Sequence, residues 1–211
     1  GDSDERHSRR AILFRLEGIT GKGPTVQCTA RQLATAYLKN ASSLSGTMAP
    51  AVLRVAAFGG DRALYDHYVE QLGGLDSQPE RYFRLFNALP WFRDVELTRR
   101  TLQFAVSPAV RTQDTATLVG LLMTRPWSQD QAWSFTQSHW TALVERLGEF
   151  QGIPSIAESL RAFCTTARAR EVRGFFEKNP VPSSDRTIRQ SIEHIENCAA
   201  LAERQRTPDR K

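Results

Sequence analysis

Proline and glycine punctuate this chain at short intervals, and between them the apolar residues keep helical spacing. Gly59-Gly60, Gly73-Gly74, Pro90, Pro108, Pro126, Gly148, Gly152-Ile153-Pro154 and Pro180-Val181-Pro182 each end or follow such a run. Proline lacks the amide that a helix interior needs, and glycine suits a helix end. Tyr82, Leu85, Phe86 and Leu89 follow the i, i+3, i+4, i+7 pattern of one helix face. Ile188, Ile192, Ile195, Ala199 and Ala202 carry the same stripe along a longer terminal helix. From Ser128 to Leu147 one long helix is expected, with Trp133, Trp140, Val144 and Leu147 on a shared face. Sustained period-two alternation, the mark of a strand, is missing.

Capping chemistry marks the starts. Ser77 with Glu80, Ser128 with Gln131 and Ser155 with Glu158 have capping-box spacing. Asp61, Asp94 and Ser184 offer side-chain oxygens to the unpaired amides of a first turn. Starts at Asp61, Ser77, Asp94, Thr112 and Ser128 lie roughly 16–18 residues apart, so two helices fill the length of one α-solenoid repeat. The expectation is an all-α chain, an α-α superhelix of antiparallel helix pairs like HEAT or armadillo solenoids, with about ten or eleven helices. It is read as a single helical repeat domain over residues 1–211 and as a fragment of a larger chain, since the first Met is Met48.

Composition narrows the function classes. Of 211 residues 40% are hydrophobic and 24% charged, as in ordinary folded domains. No uncharged apolar run approaches the length of a membrane span. The net charge is +5, but acids interrupt the basic residues, as in Arg168-Ala169-Arg170-Glu171-Val172-Arg173, so neither nucleic acid nor membrane is an expected partner. Cys28, Cys164 and Cys198 form no close pair. They read as free, buried thiols favouring a reducing, cytoplasmic compartment, with one long-range disulfide as the alternative.

No catalytic motif stands in the sequence. His7, His67, His139 and His194 include no pair four apart, so the H-E-x-x-H helix that holds Zn²⁺ is absent. There is no G-x-S-x-G elbow, P-loop or G-x-G-x-x-G either. Trp133 and Trp140, seven apart on one stripe, read as core rather than as a binding surface.

Five pieces in order carry a resemblance: Phe92-Arg93-Asp94, Val110-Arg111-Thr112-Gln113-Asp114, Ala132-Trp133-Ser134-Phe135, Phe175-Phe176-Glu177-Lys178-Asn179-Pro180 and Ser184-Asp185-Arg186-Thr187-Ile188-Arg189-Gln190. Together they resemble the C-terminal helical domain of the zinc aminopeptidases typified by aminopeptidase N and the puromycin-sensitive aminopeptidase. The resemblance implies a non-catalytic domain that closes over the active site of the same polypeptide's catalytic domain and bounds a peptide-substrate cavity. It implies no cofactor in this chain and zinc in the parent enzyme's catalytic domain, which is absent here. A free-standing helical-repeat adaptor for a protein or peptide is the alternative. Arg111, Arg168 and Arg170 are the substrate-cavity candidates, since a cation there would draw a peptide's carboxylate. Their competing reading is structural: Thr112 or Asp114 caps a helix beside Arg111, and Glu171 pairs with the other two. Finally, an apolar face near Ile12, Leu13 and Leu16 is expected to be partly uncovered and to invite self-association.

Overall fold

The computed structural model describes residues 4–148 and 152–206, and among them it is all-α, with no strand. The chain divides into two compact units, Gly1–Thr101 and Leu102–Lys211.

The first unit contains α1 (Asp4–Arg15), α2 (Pro24–Lys39), α3 (Met48–Phe58), α4 (Arg62–Leu72), α5 (Pro79–Phe86) and most of α6 (Val95–Ala105). Helix α3 is apolar on nearly every side and buries Ala49, Ala51, Val52, Leu53, Val55, Ala56, Ala57 and Phe58. A helix of that kind belongs in the middle of a layer, and α1, α2, α5 and the turn at Leu89–Trp91 all pack on it. Two of the buried phenols beside it, those of Tyr65 and Tyr68, find polar neighbours. The Tyr68 hydroxyl donates to the Leu53 carbonyl at 3.1 Å, and the Thr101 hydroxyl donates to the Tyr65 oxygen at 3.1 Å.

The Phe92-Arg93-Asp94 piece is structural at all three positions. Phe92 is 1% exposed and meets Tyr65 and Tyr68 edge-on, with ring centroids 5.2 and 5.6 Å away. The Arg93 guanidinium donates to the Phe58 carbonyl at the end of α3 (2.8 Å) and lies over the Phe58 ring. Asp94 accepts from the Glu96 and Leu97 amides and starts α6. Gly60 has a steric reason: a Cβ there would sit 2.6 Å from the Phe92 ring and 2.9 Å from the Ala56 carbonyl.

The second unit holds α7 (Thr112–Met123), α8 (Gln129–Ser138), α9 (Trp140–Leu147), α10 (Ile153–Ser159), α11 (Thr166–Lys178) and α12 (Asp185–Arg206). Helix α7 packs on α8, α9 and α10, while α12 packs on α10 and α11. The α12 stripe faces inward as expected, with Ile188, Ile192, Ile195 and Ala199 buried.

Several starts match and their chemistry differs. Asp61 caps α4 by accepting from the Leu64 amide at 3.0 Å, and its carboxylate also pairs with Arg31 of α2. Those donors hold the Asp61 carboxyl below its ordinary range, the Arg31 hydrogen bond most of all. None of the three capping boxes closes as expected. Ser128 is at the N-cap of α8, but its hydroxyl donates to the Leu122 carbonyl at 2.7 Å. Gln78 takes the N-cap of α5 in place of Ser77, with Pro79 following, and Ser155 lies inside α10. Ser184 occupies a 3₁₀ turn, Pro182–Ser184, with its hydroxyl buried and unpartnered.

Two expectations are corrected outright. The helix from Ser128 to Leu147 breaks at His139 (φ −114°, ψ 19°), giving α8 and α9. Ser138 donates back to the Ser134 and Phe135 carbonyls, and the His139 ring stacks on Phe135 at 4.0 Å. Local side-chain bonds of this kind compete with helix continuation. The cysteines are not all free: Cys164 and Cys198 form a disulfide, with Cα atoms 5.1 Å apart, and Cys28 is an exposed thiol rather than a buried one. The cysteine argument for a cytoplasmic, reducing compartment therefore falls. No described helix is long and apolar enough to cross a membrane.

Candidate functional site

Within the second unit, α7, α9 and α10 meet around a cavity of about 350 Å³ lined by Thr112, Gln113, Ala116, Thr117, Leu147, Gly152 and Ser155. That is at the lower end of the size range of small-molecule and peptide-side-chain pockets. Its first wall begins at the Arg111-Thr112-Gln113-Asp114 piece. Arg111 is extended (φ −62°, ψ 144°) and occupies the N-cap of α7, so Thr112 and Gln113 open the helix. Neither Thr112 nor Asp114 is the cap.

Arg146 of α9 fixes that entry. Its guanidinium donates to the Ser107 carbonyl (3.0 Å), the Val110 carbonyl (2.6 Å) and the Thr115 hydroxyl (3.0 Å), and Thr115 donates onward to the Ala105 carbonyl. One planar cation thus bonds two turn carbonyls, that of Val110 and that of Ser107, which also accepts from the Val110 amide. Nothing in the local sequence marks Arg146 for this task, because its acceptors lie more than thirty residues upstream.

The second wall depends on glycine. Gly148 ends α9 with φ +65°, a conformation that side chains other than glycine adopt at a cost. A Cβ on Gly152 would stand 2.5 Å from the Leu147 side chain. The intervening part of the Gly148-Glu149-Phe150-Gln151-Gly152 segment lies outside the described residues.

Hydroxyls and an amide supply the cavity's polar groups: Thr112, Gln113, Thr117 and Ser155. Such a lining can hydrogen-bond peptide carbonyls and amides without requiring a charged ligand. Arg111 adjoins it in the chain. Arg168 lies elsewhere, on α11, paired with Asp130 and with Glu171 (2.6 Å) and placed over the Phe163 ring. Arg170, also on α11, is exposed. The structure therefore brings together Thr112, Gln113, Thr117 and Ser155, and does not gather the three arginines.

Asp114 is buried just behind this wall, with one carboxylate oxygen unpartnered. Burial raises its pKa, and the nearby Arg111 opposes that only in part. A carboxyl raised in the folded state binds its proton more tightly there than in the unfolded chain. Its contribution favours folding at low pH and is lost as pH rises through the folded pKa. Asp114→Asn should flatten the fall in stability as pH rises above the ordinary carboxyl range near about 4, measured by urea unfolding at a series of pH values. An unchanged slope would mean that Asp114 is solvated.

A family model described as the ERAP1-like C-terminal domain matches residues 1–197. The chain belongs to that family. Curated relatives carry aminopeptidase names. It is 28% identical over 136 residues to aminopeptidase M1 of Arabidopsis thaliana, covering 64% of this chain and 15% of that protein. It is 26% identical over 169 residues to glutamyl aminopeptidase of Mus musculus, covering 77% of this chain and 18% of that protein. To aminopeptidase M1-C of Oryza sativa subsp. japonica it is 24% identical over 123 residues, 56% of this chain and 13% of that protein. The chain thus spans less than a fifth of the length of each of these relatives.

The zinc that such enzymes imply does not fit the side chains here. No two histidines are four apart, Cys164 and Cys198 are bonded to each other, and no group of three His, Cys, Asp or Glu residues among the described residues could hold a metal.

Proposed function

We propose that this chain is the non-catalytic C-terminal domain of a zinc aminopeptidase, closing over an active site carried elsewhere in the parent polypeptide and lining part of its peptide-substrate cavity. The family match over residues 1–197 supports this reading, and since the chain carries no H-E-x-x-H motif, the reading assigns the Zn²⁺ and the general base to another part of the parent polypeptide. The domain's contribution is to hold the peptide beyond the scissile bond. Thr112, Gln113, Thr117 and Ser155 hydrogen-bond its main chain, and Arg111, directly before Thr112, attracts its carboxylate. Arg168 and Arg170 are weaker candidates, since both stand on α11 and neither lines this cavity nor adjoins its lining in the chain.

The test is kinetic, in the parent enzyme. Gln113→Ala should lower kcat/KM for peptides of about six or more residues roughly 3–10-fold, the loss of one neutral hydrogen bond. Hydrolysis of a single-residue anilide should be unaffected, because it does not extend to this wall. Equal loss on both substrates, or none on either, would end the proposal for this cavity.

A further inference from the structure

Arg146 stands one residue before Leu147, which lines the cavity of the second unit. It is half-buried, and three neutral oxygens hold it, those of Ser107, Val110 and Thr115. No carboxylate among the described residues pairs with it, in contrast to Arg161 with Glu158, Arg168 with Asp130 and Arg173 with Glu196 in the same unit. A cation drawn partly out of water is stable only where its hydrogen bonds are made, so these three acceptors fix where it sits.

The bonds reach both ends of the facing wall. Nη2 takes the Ser107 and Val110 carbonyls, and the Val110 amide closes the same turn on the Ser107 carbonyl at 3.2 Å. Nε takes the Thr115 hydroxyl in the first turn of α7, which donates in turn to the Ala105 carbonyl at the end of α6. Between Val110 and Thr115 lie Thr112 and Gln113, both of which line the cavity. One side chain next to the second wall therefore clamps the lining pair of the first wall from either side along the chain.

We propose that Arg146 is the positioning residue of this cavity: its guanidinium holds Thr112 and Gln113 in place across from Leu147, and so sets how far the parent enzyme favours long peptides over short ones. The inference rests on the reading of the cavity as a wall for peptide. It calls for arginine rather than for any cation. A planar guanidinium presents Nε and Nη donors along one rigid edge, to the hydroxyl and the two carbonyls together, whereas a lysine ammonium is a point donor on a flexible stem. A loosened wall weakens the ground state and the transition state alike, so the loss falls on KM.

Two measurements test it. In the chain itself, amide hydrogen exchange by NMR compares the unaltered sequence with Arg146→Gln and Arg146→Lys. The Val110, Asp114 and Thr115 amides close the turn and open α7; they should exchange at least about tenfold faster in both variants. Amides of residues 188–199 in α12 should be unchanged, which also reports that the variant is folded. Should Arg146→Gln unfold, Arg146→Lys carries the same test. In the parent enzyme, Arg146→Gln should lower the ratio of kcat/KM on a peptide of about eight residues to that on a single-residue anilide by roughly 3–10-fold, through KM, and Arg146→Lys should not restore it. General destabilisation would instead lower kcat on both substrates together. Unaltered exchange at Val110, Asp114 and Thr115 overturns the proposal. So does an Arg146→Lys protein that behaves as the unaltered one, for then charge alone suffices. If Gln113→Ala lowers the ratio and Arg146→Gln does not, the peptide reading stands and the positioning role fails. If neither lowers it, both fall.

Discussion

Trp133→Ala should destabilise the second unit by about 3–5 kcal/mol, the usual cost of emptying a buried tryptophan site. Trp133 is 0% exposed. Its ring centroid lies 5.1 Å from that of Phe175 and 6.2 Å from that of Phe163, both in edge-on contact. Trp140 meets Phe175 and Phe176 at 5.2 and 5.5 Å, so α8, α9 and α11 are joined through one aromatic cluster. The indole N–H donates to Glu171 at 2.9 Å, and the same carboxylate holds Arg168. Trp133→Phe separates the two contributions, since it keeps much of the ring contact and removes the donor; a smaller loss, about 1–3 kcal/mol, is expected. Urea unfolding followed by tryptophan-independent circular dichroism measures both. A loss below about 1 kcal/mol for Trp133→Ala would mean that the cluster collapses readily onto the vacancy.

That cluster explains why the fold was legible in the sequence. Ala132-Trp133-Ser134-Phe135 and Phe175-Phe176-Glu177-Lys178-Asn179-Pro180 lie about forty residues apart in the chain, yet Trp133 touches Phe175. Their order resembled a known helical domain because they are two sides of one contact. Apolar periodicity reports only which face of a helix is buried, and there it served well: Ile188, Ile192 and Ile195 are buried as spaced. Punctuation worked almost as well, since Asp61, Asp94 and Ser128 stand at helix starts.

What failed was whatever depends on a tertiary partner. Ser128 reads as a capping serine, but the Leu122 carbonyl takes its hydroxyl. His139 stands in a sequence of sound helical periodicity, and only its stacking with Phe135 and the back-bonding of Ser138 disclose the break. The cavity was half legible. In the Arg111-Thr112-Gln113-Asp114 piece the charge of Arg111 is the conspicuous feature of the sequence, whereas the residues that line the cavity are the neutral Thr112 and Gln113. Thr117 carries no signal, because hydroxyls on exposed helix positions are common, and the spacing of Ser155 to Glu158 points to a helix cap rather than to a cavity wall. Arg146, which holds the turn before α7, looks like any surface arginine until its acceptors are folded against it.

Reduction of the Cys164–Cys198 bond should cost about 3–4 kcal/mol, from the loop entropy released when a cross-link across 34 residues is opened in the unfolded chain. Spacing could not disclose the pairing, since three cysteines admit three single bridges and the sequence prefers none of them. The bond joins the segment just after the Leu160–Ala162 turn to α12, which already packs on that turn, on α10 and on α11. Native contacts therefore remain when it opens, and the helix content should be unchanged. The effect belongs mainly to the unfolded state, which becomes larger. Cys164→Ser with Cys198→Ser should accordingly lower the urea midpoint and steepen the denaturant dependence, as a more expanded unfolded chain exposes more surface. Cys28→Ser, at an exposed thiol outside the bridge, should change neither. A double variant as stable as the parent would show that α12 is held by its packing alone, with no measurable contribution from the cross-link.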